Sequence, residues 1–300
     1  MIASVEGVEP MNWIEGMSEA IAYIEANLTE PLEIDQIAKR AYVSPFYFQK
    51  AFGLLCGLTV GEYIRQRRLA CAGSDIVSTN NRIIEIALKY RYDSPDSFTK
   101  AFSRFHGSTP TAVRKSGATI KSVAPLKLKF TLEGGYLMEY KIVEKEAFEV
   151  IGVSRRFSME EGITLIPKFW SEHFQSGKGE IICGMYGICI NQNSDAKDFE
   201  YLIADKYEQG REVPHGLKTL VIPRHTWAVF PCRGPMPTAI QEVNRKIFSE
   251  WLPNCKDYDI IGDYDFESYD NVLEYPLGNQ DPNYYTEIWI PIRKKTVRVD

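Results

Sequence analysis

The sequence is poor in the residues that bind metals and staple secreted folds. Its 300 residues contain four histidines and six cysteines. Cys56, Cys71, Cys183, Cys189, Cys232 and Cys255 form no Cys-x-x-Cys pair and no finger spacing, and the histidines are scattered. No metal, no disulfide framework and no other cofactor is therefore expected, and the thiols should stay reduced. No run approaches eighteen apolar residues, so no membrane-spanning helix and no membrane partner is expected. The opening residues, Met1-Ile2-Ala3-Ser4-Val5-Glu6, lack the basic-then-apolar pattern of a secretory signal, which points to the cytoplasm. No nucleophile motif stands out either.

What is present is an ordinary globular composition, 44% hydrophobic and 25% charged, in a chain long enough for two domains. The net charge of −5 conceals a split. Residues 31–115 hold thirteen Lys/Arg against seven Asp/Glu, whereas residues 116–300 hold 22 against 27. The first region can attract phosphate and the second cannot.

Within the basic region a nine-residue stretch occurs twice. Ser44-Pro45-Phe46-Tyr47-Phe48-Gln49-Lys50-Ala51-Phe52 returns fifty residues later as Ser94-Pro95-Asp96-Ser97-Phe98-Thr99-Lys100-Ala101-Phe102, with the shared pattern S-P-x-x-F-x-K-A-F. Each copy opens like a helix, because Ser can cap the free amides and Pro suits the first turn. The two Phe of each copy stand four apart and share a helix face. A short helix precedes each copy, Glu33–Arg40 and Ile83–Tyr90, and both carry a small residue, Ala38 or Ala87, where helices must cross closely. Met11 to Asn27 and Thr59 to Ile76 read as further helices from their three- and four-residue apolar steps.

Beyond a Ser-, Pro-, Lys- and Gly-containing stretch the periodicity becomes mostly that of strands. Strands are expected at 140–143, 148–153, 182–190, 199–204, 225–231, 263–269 and 286–292, and helices at 163–174 and 238–251. The expected organisation is multidomain. A tail spans 1–10 and an all-α region with two helix-turn-helix units spans 11–117. A linker follows at 118–137, then an α+β antiparallel domain at 138–300, built of two strand-helix-strand-strand halves with a cleft between them.

A helix-turn-helix can lay its second helix in the DNA major groove, and two units on one chain can meet successive grooves of double-stranded DNA. Gln49 can pair with adenine, Lys50 and Lys100 can reach guanine or phosphate, and Phe46 can press on a thymine methyl. Arg65, Arg67, Arg68, Arg104 and Arg114 are expected on the phosphate backbone.

These residues resemble the DNA-binding domain of the AraC-type transcription regulators. The most specific stretch is Ile83-x-x-x-Ala87, then Ser94-x-x-x-Phe98-x-x-x-Phe102-x-x-x-x-Gly107-x-Thr109-Pro110. The resemblance implies base-reading positions at Phe46, Gln49 and Lys50 in the first unit and at Asp96, Ser97 and Lys100 in the second. Tyr42 and Arg91 stand where that family usually has a turn glycine, and glycine is favoured where φ is positive or space is short.

The remainder resembles the gyrase-inhibitor-like effector domain carried by several drug-responsive regulators. The matching blocks are His225-Thr226-Trp227-Ala228-Val229-Phe230-Pro231, Ile247-Phe248-Ser249-Glu250-Trp251-Leu252-Pro253, Phe266-Glu267-x-Tyr269 and Glu287-Ile288-Trp289-Ile290-Pro291-Ile292. The resemblance places an acidic pocket residue at Glu287. Strand alternation puts Glu287 and Trp289 on one face, and a carboxylate beside aromatic rings suits a lipophilic cation. Trp170, Tyr186 and Trp227 are the expected aromatic partners. The reading is a transcription regulator, expected to be an activator working with RNA polymerase, that senses a small amphipathic and cationic molecule. Two rivals are a hydrolase using Glu287 with Tyr186 and a protein that merely sequesters its ligand.

Overall fold

The computed structural model describes residues 13–127, 138–159, 161–191, 198–208, 210 and 212–295. The expected tail at 1–10 lies outside these residues, as does part of the expected linker. Seven helices come first: α1 (Trp13–Ala26), α2 (Ile34–Arg40), α3 (Pro45–Cys56), α4 (Val60–Ser78), α5 (Ile83–Lys89), α6 (Pro95–His106) and α7 (Pro110–Ser116). Nine strands and two helices follow: β1 (Lys141–Lys145), β2 (Phe148–Ser158), α8 (Gly162–Gln175), β3 (Tyr186–Ile190), β4 (Asp198–Lys206), β5 (Lys218–Ile222), β6 (His225–Arg233), α9 (Thr238–Lys246), β7 (Tyr258–Ile260), β8 (Tyr264–Tyr269) and β9 (Tyr285–Lys294). The helix that begins as α9 continues through a wide π turn at Ile247–Trp251. Among the described residues no helix is long and apolar enough to cross a membrane.

Both copies of the repeated stretch start as their sequence demands. Ser44 Oγ accepts from the Tyr47 amide and Ser94 Oγ from the Ser97 amide, with Pro45 and Pro95 in the first turns. Gly57 and Gly107, both left-handed, end these helices. α7 was not expected. Its signal is the same, since Thr109 caps the Ala112 amide and Pro110 follows. Among the described residues Tyr42 and Arg91 are the non-glycine residues with positive φ, 56° and 67°, so the turn conformation that favours glycine is kept without it.

The chain divides into two compact units, and the division does not follow the sequence. One unit holds 1–42 and 58–131, the other 43–57 and 132–300. In the first, Phe98 and Phe102 sink into a core with Leu69, Ile76, Ile86 and Tyr90. Residues after α7 strap this unit: the Arg67 guanidinium donates to Val123 O and the Leu126 amide donates to Tyr63 Oη.

The second unit is one antiparallel sheet of nine strands in the order β1-β6-β9-β8-β3-β4-β2-β5, with β7 also on β9. β2, α8, β3 and β4 form one strand-helix-strand-strand half; β6, α9, β8 and β9 form the other. β3 and β8 join the halves edge to edge, with Gly187 opposite Glu267. β5 and β7 were missed by the pattern reading; they are edge additions of five and three residues. Residue parity sorts the side chains. Trp227, Val229, Phe266 and Trp289 share a cluster on one face. Tyr201, Phe230 and Glu267 point to the other, where Trp170 of α8 and Trp251 meet Tyr201 and Phe230.

Candidate DNA-reading helices and effector groove

The residues expected to read bases in the second unit are exposed. Asp96, Ser97 and Lys100 are exposed at the start of α6 while Phe98 and Phe102 are wholly buried. Ser97 Oγ donates to Ser94 O, which stiffens the first turn.

The helix expected to read bases in the first unit is covered. α3 belongs to the unit that contains the sheet, and it packs on α9 and the π turn. Phe46 is 2% exposed and meets Phe199 of β4 edge-on at 6.4 Å. The Tyr47 ring lies 6.4 Å from Phe248, and its hydroxyl donates to Tyr264 O at 2.7 Å. Ser44 Oγ also donates to Gly262 O at 3.2 Å. Lys50 Nζ pairs with Asp265 Oδ2 at 2.6 Å, the two side chains being 18% and 2% exposed. Burial works against the Lys50 charge, but Asp265, helped by Cys189 and Glu267, holds it above the ordinary lysine value. Gln49 Nε2 donates to Pro45 O within its own helix.

The arginines expected on phosphate divide. Arg65 and Arg104 are exposed on α4 and α6. Arg67 corrects the expectation, because it turns inward to pair with Glu25 at 2.6 Å and is buried. The cause is its position on the buried side of α4, where an unpaired guanidinium would be costly. Arg68 and Arg114 are likewise engaged by carbonyls, Arg68 by Leu28 and Glu30, Arg114 by Ile76 and Asn81.

Of the five residues expected to form one pocket, Glu287, Trp289, Trp227 and Tyr186 share one face of the sheet and Trp170 does not. Glu287 accepts from Lys141 at 2.8 Å, Tyr285 Oη at 2.9 Å and Trp289 Nε1 at 3.0 Å. Trp289 stacks on Phe266, centroids 5.2 Å apart, and Trp227 is fully buried edge-on to both. Tyr186 packs on Phe148 and Phe266 on this same face and does not bond Glu287, so the hydrolase pairing is not formed. Trp170 lies on the opposite face, because α8 covers that one.

A different carboxylate stands beside Trp170. Glu267 accepts from Tyr201 Oη at 3.0 Å and from Tyr269 Oη at 2.6 Å, and Trp170 Nε1 donates to Tyr201 Oη at 2.9 Å. Gly187 keeps the room for this network: a Cβ there would lie 2.8 Å from Glu267 Oε2 and collide with the Tyr201 hydroxyl. Burial pushes the Glu267 carboxyl above its ordinary value, against the lowering pull of Tyr269, Lys50 and Tyr201. Glu267 stood in the sequence inside the block Phe266-Glu267-x-Tyr269. The alternation Asp265, Glu267, Tyr269 on one side of a strand was the signal that could have found it.

Known proteins match along the whole of this arrangement. Residues 141–292 match the family model of integron-associated effector binding proteins, and residues 37–116 match a helix-turn-helix domain. The right origin-binding protein of Escherichia coli K12 is 28% identical over 289 residues, covering 92% of this chain and 97% of that one. The transcriptional activator AarP of Providencia stuartii is 40% identical over 100 residues, 33% of this chain and 74% of that one. Among solved structures, SAV2435 bound to tetraphenylphosphonium is similar with a TM-score of 0.46 and 19% identity, covering 52% of this chain and 94% of that one.

Proposed function

The chain belongs to the AraC-type transcription regulators that carry an integron-associated effector-binding domain, and from that premise we propose that it activates transcription when a small lipophilic cation binds the helix-covered face of its sheet. DNA is bound through the helix-turn-helix region and a small effector through the second unit. The family is one of transcription regulators, so the hydrolase reading gives way. Activation is supported by the 40% identity to AarP, itself an activator, and an activator's natural partner is RNA polymerase.

The observation that carries the cation reading is Glu267: a partly buried carboxylate ringed by Tyr201, Tyr269 and, through Tyr201, Trp170. Ion pairing and cation–π attraction would both act on a lipophilic cation there. Glu287 suits such a ligand less well, since Lys141 already neutralises it.

The test is calorimetry on the full chain with tetraphenylphosphonium and its neutral relative triphenylphosphine oxide. Glu267→Gln should weaken the cation by about 2–5 kcal/mol and leave the neutral ligand nearly unchanged. Glu287→Gln should alter neither much. Because the free carboxyl is held high and a bound cation would favour its ionised form, cation binding should release protons, read as a dependence of the heat on buffer ionisation. If Glu287→Gln abolishes cation binding and Glu267→Gln spares it, the site lies on the other face of the sheet.

A further inference from the structure

We infer that α3 is a tethered occupant of the effector groove, its Lys50 ammonium standing where the charge of a bound cation would stand, so that the groove and DNA compete for one helix and the effector releases it. The inference deepens the reading above and rests on it.

The first argument is steric. Two of the three residues that the sequence singles out for base contact in the first unit, Phe46 and Lys50, are pressed by α3 against the sheet. A helix with its side chains is about 10–12 Å across, and the DNA major groove is about 12 Å wide. The groove therefore has no room for a helix that still carries a sheet on its reading face. α3 spans both halves of the domain, touching Phe199 on one and Phe248 and Asp265 on the other, so it lies across the seam that β3 and β8 form.

The second argument is chemical. Lys50 is held as a lipophilic cation would be held. Its ammonium meets the Asp265 carboxylate at 2.6 Å, lies 5.9 Å from the centre of the Phe46 ring, and feels the field of Glu267. Carboxylates and aromatic rings that stabilise one buried cation stabilise another, and Asp265 and Glu267 project from the same face of β8 two residues apart. Two positive charges in that space repel each other, so effector binding disfavours Lys50 and with it the docked helix.

The third argument is energetic. Tethering gives α3 an effective concentration in the millimolar range, so the groove stays filled until an effector of sufficient affinity arrives. The rise in DNA affinity cannot exceed the effector's preference for the open groove, and by linkage DNA must tighten effector binding by the same factor. α6, whose reading residues are exposed, would keep a weak hold on DNA in the closed form.

The experiment uses the full chain and a duplex operator selected by it from a random pool. Wild-type affinity for the operator should rise about tenfold on adding saturating tetraphenylphosphonium, and operator should tighten tetraphenylphosphonium binding equally. Asp265→Asn removes the charge beneath α3 without touching a DNA-facing residue. It should bind operator about tenfold more tightly than wild type with no ligand present and gain little when ligand is added. An Asp265→Asn protein that binds operator no better than wild type overturns the proposal. If that variant does not fold, hydrogen exchange on the wild-type chain decides: exchange across residues 45–56 should rise when tetraphenylphosphonium binds, and unchanged exchange overturns the proposal. Failure of the two readings is separable. Ligand that binds without changing operator affinity or exchange leaves the cation reading standing and removes the competition. Ligand that never binds removes the cation reading, and the Asp265→Asn operator affinity alone then shows whether α3 is held.

Discussion

α3 and α6 have the same cap, the same proline in the first turn, the same two buried phenylalanines and the same left-handed glycine at the end. They differ at two positions of the first turn. Where α6 has Asp96 and Ser97, α3 has Phe46 and Tyr47. The polar pair stays in water and the aromatic pair is buried at 2% and 1% exposure. One scaffold thus yields a helix with an exposed first turn and a helix with a second partner inside its own chain. The difference is set by apolar area: burying a large apolar side chain contributes about 1.5–3 kcal/mol, which two polar residues cannot match.

The sharpest way to break this comparison is at the shared lysine. Lys50→Met leaves Asp265 buried without its partner and should lower stability in urea unfolding by about 3–5 kcal/mol. Lys100→Met, on an exposed side chain, should stay within about 0.5 kcal/mol of wild type. Similar losses from both would mean that α3 is not held by its ion pair. A smaller contrast is expected one turn earlier. Tyr47→Phe deletes the hydroxyl that donates to Tyr264 O and should cost about 1 kcal/mol or somewhat more, since that carbonyl loses a partner in a part-buried site. Ser97→Ala should have little effect beyond its local turn. The smallest effect probes where the helices are alike. Ser44→Ala and Ser94→Ala each remove an N-cap and should each cost about 0.5–2 kcal/mol. The Ser44 change should sit higher in that range, because its hydroxyl also reaches Gly262 O.

Much of the fold was legible because it rests on local rules. Ser-Pro starts, paired phenylalanines and alternating strands fixed α2 to α6 and seven of the nine strands to within a few residues. Tyr42 and Arg91, singled out for standing at turn positions, do adopt the left-handed backbone. The short elements escaped. α7 escaped because its Thr-Pro start follows Gly107 so closely that the run reads as the end of α6, and β7 spans only three residues, too few to show a period. The sorting of the pocket residues between the two faces of the sheet was hidden for a different reason. Alternation states which residues share a face but not which face a helix covers. Glu267 and Glu287 lie on adjacent strands but point to opposite faces, so the sequence alone could not say which carboxylate stands with Trp170. Lys50 pairing with Asp265, 215 residues away, obeys no local rule, and neither does the inward turn of Arg67 to Glu25.

The Tyr201–Glu267 bond exists because position 187 has no side chain. In hereditary terms the sensor is unusually easy to silence. A single added carbon at Gly187 fills the space in which carboxylate and phenol meet, while every residue of the helix-turn-helix region stays as it was. Under the effector site proposed above, a lineage can therefore lose its response while every helix-turn-helix residue stays unchanged, and that loss lies one methyl group away from this sequence.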